Sequence, residues 1–201
     1  MGVKQALASA ILKLSGWRLV VEEEPPRTGS IFLGAPHTSN FDGVLMLCLG
    51  WKLGLDVKWL GKKSLFKAPL GWIVRGLGGI PVDRGNAGGT VERLVGSLES
   101  KAESQSDSEG WALVIAPEGT RKKADYWKSG FYRIAVETVL PVVLGFVNGR
   151  DKVAGLGPVV HMTGDVKADM DLIRDFYEGI AGVHPGQESV PRLRMEEASD
   201  E

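Results

Sequence analysis

The chain has 201 residues, of which 43% are hydrophobic and 24% charged, and its net charge is −1. That length and apolar content suit one domain with a sizeable core, and the near-neutral balance excludes a global field for nucleic acid. The single cysteine, Cys48, excludes an intrachain disulfide framework and any multi-cysteine metal cluster.

Residues 1–16 predict an amphipathic helix, with Val3, Leu7, Ala10, Ile11 and Leu14 at three-to-four spacing. Two uses of that stripe stay open: packing on the domain, or lying in a membrane interface with Trp17 and Arg18 near the headgroups. No run reaches the roughly 18 apolar residues a spanning helix needs. Arg18–Val21 and Ser30–Gly34 predict strands, and Asn40 is placed to cap a helix running to about Lys52. Asp56–Leu60 predicts a strand, followed by a Lys62-Lys63 turn. Pro69–Gly76 predicts a proline-started helix, Gly79–Val82 a strand and Thr90–Ser104 a helix. Further strands are expected at Trp111–Ala116, Pro141–Val147 and Val153–His161, with a hairpin across Asn148–Asp151. Helices are expected at Ser129–Thr138 and Asp165–Ile180. Alternating strands and helices predict a single-domain α/β sandwich over 17–184, with a largely parallel central sheet flanked by helices. Residues 185–201 read as a charged, mobile tail.

Four blocks carry candidate chemistry. In Pro36-His37-Thr38-Ser39-Asn40-Phe41-Asp42, His37 leaves a strand and Asp42 enters the first turn of a helix. A neutral imidazole takes a hydroxyl proton better when a carboxylate holds its other nitrogen. Gly79-Ile80-Pro81-Val82-Asp83-Arg84 delivers Arg84 from a strand end, either to clamp a phosphate or to pair with Asp83. Pro117-Glu118-Gly119-Thr120-Arg121 follows a buried strand, where ligands gather in open α/β sheets. There Glu118 reads as a partner for acceptor hydroxyls, Gly119 as a close-approach point and Arg121 as a phosphate ligand. The fourth block is the proline-led apolar strand Val139-Leu140-Pro141-Val142-Val143-Leu144.

In that order the four blocks resemble the glycerolipid acyltransferase family, from about Ser30 to Val147. The resemblance implies a glycerol-3-phosphate acyltransferase-like fold and an O-acyltransferase. His37, oriented by Asp42, would deprotonate an acceptor hydroxyl that attacks an acyl thioester. It assigns Arg84, Glu118, Gly119, Thr120 and Arg121 to a glycerophosphate acceptor, most simply 1-acylglycerol-3-phosphate. Backbone N–H groups near His37 or Gly119 are the candidates for holding the tetrahedral oxyanion. The donor is expected to be acyl-CoA or acyl carrier protein, a co-substrate rather than a cofactor, and no metal site is expected.

Two departures bear on the acceptor: Pro36 stands where many relatives carry asparagine, and Lys122-Lys123 follows Arg121 where serine is common. A lyso-ornithine lipid, another alcohol, or a non-catalytic lipid-binding role on the same fold are therefore the alternatives. Lys62, Lys63 and Lys67 lie among Leu65, Phe66, Leu70, Trp72 and Ile73, and Lys122 and Lys128 flank the third block. The first group suits an anionic lipid surface and the second the phosphates of CoA or of a lipid. A peripheral or monotopic position on the cytoplasmic face of a membrane is the matching expectation.

Overall fold

A computed structural model gives the structure of the chain and describes residues 2–82, 96 and 110–199. Arg84 and the helix expected at 90–104 lie outside the described residues. Seven strands form one sheet: β1 (Arg18–Val21), β2 (Ser30–Ala35), β3 (Asp56–Lys62), β4 (Gly79–Val82), β5 (Trp111–Ile115), β6 (Val142–Asn148) and β7 (Val153–Val160). Their order is β1-β7-β6-β2-β5-β3-β4, and every described pairing is parallel except the β6–β7 hairpin. The expected α/β fold with a largely parallel sheet is what the chain adopts.

The central strands are continuous apolar runs because both of their faces are covered. Alternate residues go to opposite sides. Ile31, Leu33, Trp111, Leu113, Val142 and Leu144 face one core. That core is closed by α4 (Gly130–Thr138) and α5 (Val166–Tyr177), through residues such as Phe131, Ile134, Met170 and Ile173. Phe32, Ala112, Val114 and Val143 face the other side. There α2 (Phe41–Leu53) packs on the sheet and α1 (Val3–Ser15) packs on α2. Each such side chain contributes roughly 1.5–3 kcal/mol on burial. The short α3 (Gly71–Gly76) joins β3 to β4, and Pro69 sits in the turn before it rather than inside it.

Two expectations at the chain ends are corrected. The buried face of α1 is Ala8 and Leu12, whereas most of the predicted stripe points outward, Leu14 being 88% exposed. Trp17 is a core residue whose ring packs tilted against Phe41 and is not available to headgroups. The stretch after 185 is no free tail. Leu193 is fully buried, the Trp127 N–H donates to the Arg192 carbonyl, and Arg174 ties down the Pro191 carbonyl and Glu196. A buried leucine and spoken-for backbone groups hold this strap despite its charge.

Candidate active site

β2 lies in the middle of the sheet, between β6 and β5, so its carboxyl end opens onto the loops that follow its neighbours. There a cis peptide joins Ala35 to Pro36 and the chain turns into α2. Asp42, in the first turn of α2, points back along that turn. Its Oδ2 accepts from the backbone N–H of Thr38 (2.9 Å) and of Ser39 (2.8 Å). The same oxygen lies 3.2 Å from His37 Nδ1. Ser39 Oγ accepts from the Phe41 N–H. Asp42 and Ser39 therefore do the capping expected of Asn40, whose side-chain oxygen instead accepts from the Arg121 guanidinium.

This geometry has a chemical consequence. A carboxylate that already accepts two amide N–H groups is fixed in direction, and it draws the imidazole proton onto Nδ1. Nε2 then carries the lone pair. The His37 side chain is part-exposed while Asp42 is buried, so the base reaches a substrate and its orienting acid does not. His37 and Asp42, singled out from sequence, are brought together.

Glu118 has a different place from the one expected. It is 2% exposed and turned inward. Its Oε2 accepts from the His37 backbone N–H at 2.7 Å, and its Oε1 from the Ser189 N–H at 3.4 Å. Burial raises its pKa to about 7, against the opposing pull of those two amides. It braces the backbone of the histidine rather than meeting an acceptor hydroxyl. Gly119 turns the chain with φ +65°, and its N–H donates to the Ala116 carbonyl. Its requirement is conformational. The amides of His37, Thr38, Ser39 and Gly119 are thus all engaged within the protein.

A groove of about 410 Å³ is lined by Thr38–Asn40, the three residues that follow His37, together with Thr120–Lys122, His184 and Gln187. Thr120 and Arg121, expected at an acceptor site, and Lys122, expected at donor or lipid phosphates, all line this groove. Lys128 is exposed outside that lining and packs its methylenes near Gly119. Lys62, Lys63 and Lys67 are likewise outside it, exposed at the end of β3 and on the segment that follows. From sequence, His184 reads as a structural or surface histidine without neighbours at metal-ligand spacing, and Gln187 carries no signal beyond the Pro185-Gly186 turn between them. They reach the groove through long-range packing.

Residues 18–145 match the family model described as Acyltransferase, a span that runs from β1 into β6 and includes His37, Asp42 and Glu118. No curated protein and no solved structure matches the chain. The match covers more than half of the sequence, and the chain belongs to the acyltransferase family, the family of the glycerolipid acyltransferases.

Proposed function

We propose that this acyltransferase moves a fatty acyl group from acyl-CoA or acyl carrier protein to the free hydroxyl of a lysophospholipid, with 1-acylglycerol-3-phosphate the leading acceptor. The reading is carried by the His37 Nδ1–Asp42 Oδ2 contact of 3.2 Å, with a polar groove lined by the three residues that follow His37. His37 Nε2 takes the hydroxyl proton as the oxygen attacks the thioester carbonyl. The carbon–sulfur bond then breaks, and the imidazolium returns the proton to the leaving thiolate, giving an ester and a free thiol. Asp42, hydrogen-bonded to Nδ1, orients the ring and favours the imidazolium. No covalent enzyme intermediate is needed, because base and acceptor meet in one site.

The acceptor's phosphate is assigned to Arg121, with Thr120 and Lys122 beside it; Arg84 is assigned to the same role from its sequence block. Glu118 serves this reaction by holding His37 in register. The acceptor and product are lipids, so we assign the enzyme a peripheral position on the cytoplasmic face of a membrane. The observation favouring this is the exposed, apolar and basic segment after β3, where Trp72 is 74% exposed and Leu65, Leu70, Lys63 and Lys67 are exposed as well. Among the described residues no helix is long and apolar enough to cross a membrane.

The deciding experiment is a thiol-release assay with acyl-CoA against a panel of lysolipids with and without phosphate, with product masses measured. Release that depends on a lysophospholipid and disappears in His37→Ala supports the reading. Equal release with water alone, or with the variant, overturns it.

A further inference from the structure

The family match ends at residue 145, yet one wall of the groove comes from beyond it. Resting on the acyl-transfer reading above, we infer that the loop 182–188 completes the acceptor pocket, and that His184 and Gln187 set its selectivity for a phosphate-bearing headgroup.

The loop is a built element. Glu188 accepts from the Gly182 N–H at 2.7 Å and from the Gly186 N–H at 2.6 Å, which closes the loop on itself. The His184 N–H donates to Thr38 Oγ1 at 3.1 Å, so the loop is joined to the residue that follows the base. Gly182 admits no side chain, since a Cβ there would lie 2.5 Å from Thr38 Oγ1. At the far end Ser189 reaches Glu118, whose other oxygen holds the His37 amide. Loop and base are thereby keyed to the same two residues, Thr38 and Glu118. A displacement of the loop by an ångström would move both walls of the groove relative to His37.

The lining chemistry names the ligand class. Arg121 and Lys122 give the groove two cations, and no carboxylate lines it. His184 and Gln187 add further hydrogen-bonding groups to the same lining. A phosphate offers anionic oxygens to the cations and further acceptors to the imidazole and amide. An acceptor without phosphate would leave the cations unmatched. Two sources share this chemistry, the headgroup of the lipid acceptor and the phosphates of a CoA donor, and we assign the groove to the former.

The test uses the full chain with a water-soluble short-chain 1-acylglycerol 3-phosphate, the matching phosphate-free 1-acylglycerol, and acyl-CoA. For His184→Ala and for Gln187→Ala, the KM for the phosphate acceptor is expected to rise three- to tenfold each, about the size of one lost hydrogen bond. The kcat, the KM for the phosphate-free acceptor, the KM for acyl-CoA and the melting temperature are expected to stay within twofold or unshifted. An unchanged KM for the phosphate acceptor in both variants overturns the inference. So does a rise confined to the KM for acyl-CoA, which would place the donor's phosphates in this groove. Calorimetric titration of the same phosphate acceptor without donor separates the two levels. A wild type that binds it without turnover sinks the acyl-transfer reading, while weaker binding by the variants still upholds this one. A wild type that does not bind it overturns both.

Discussion

The loop after β2 and the segment after β3 leave the sheet at the same edge, because both strands run parallel to β5 between them. In the first, Asp42 collects two amides and the imidazole, and Glu118 takes a third amide. In the second, Leu65, Leu70, Trp72 and Ile73 are exposed among basic side chains, and the buried Phe66, beneath Arg75, anchors the stretch. One edge of one sheet thus holds a stretch whose polar groups are satisfied internally and a stretch whose apolar groups are not. Chemistry needs the former, since a base misplaced by an ångström loses much of its rate. Attachment to a fluid surface tolerates the latter.

The largest test of this contrast is to remove the base. His37→Ala should lower kcat by about 10²–10⁴-fold with the melting temperature unchanged, as the ring is part-exposed and its backbone amide remains for Glu118. Stopped assays and thermal melts on the same preparation check it, and a variant that keeps more than a tenth of the rate would refute the assignment. The next effect is on stability. Leu193→Ala should cost about 2–5 kcal/mol, because this fully buried side chain fastens the strap to the domain. Denaturant titration measures it. A loss below 0.5 kcal/mol, about the scale of an exposed substitution, would return the strap to the status of a loose tail.

The contrast also explains what the sequence disclosed. The His37–Asp42 pair is local: five positions, a strand end and a helix start suffice to bring the groups together, so spacing and chemistry were enough. The strands around it were legible because burial on both faces writes continuous apolar runs. Glu118 misled because its block reads as exposed and charged, whereas its partners lie 81 positions back and 71 positions ahead. The strap misled for a similar reason. Its composition is charged and proline-containing, and nothing within it announces that Leu193 fills a space beside Trp127. On α1 the stripe was real but turned the other way, since Ala8 and Leu12 give the closer fit to α2.

Glu118→Gln sharpens the account of the braced loop through pH. Burial raises the Glu118 pKa from 4.5 to about 7 in the folded chain. Between those values the folded state keeps a proton that the unfolded state gives up. The stability due to this group is therefore full below pH 4.5 and is lost as pH rises towards 7, by on the order of 3 kcal/mol. The glutamine variant has no such proton, so the wild-type advantage in melting temperature should shrink steadily across that window and then level. A difference that is flat from pH 4.5 to 7 would refute the burial account. The variant should also lose activity, because an amide group offers one oxygen where two backbone donors now point.

The smallest effects belong to the unbraced stretch, and they separate it most cleanly from the site. Each cation near an anionic membrane surface contributes about 1 kcal/mol, so Lys67→Ala should weaken binding to vesicles containing phosphatidylglycerol by about fivefold. Trp72→Ala removes an exposed indole that buries little surface within the protein, so its folding should be unaffected while vesicle binding falls. Neither change touches the His37–Asp42 pair or the groove, and turnover of a water-soluble short-chain acceptor should stay within twofold of wild type. Raising the salt should erase the lysine effect and leave the tryptophan effect, because screening acts on the charge and not on the apolar contact. If both variants bind such vesicles as the wild type does, the exposed stripe of α1, with Val3, Leu7 and Leu14, becomes the surface to test instead.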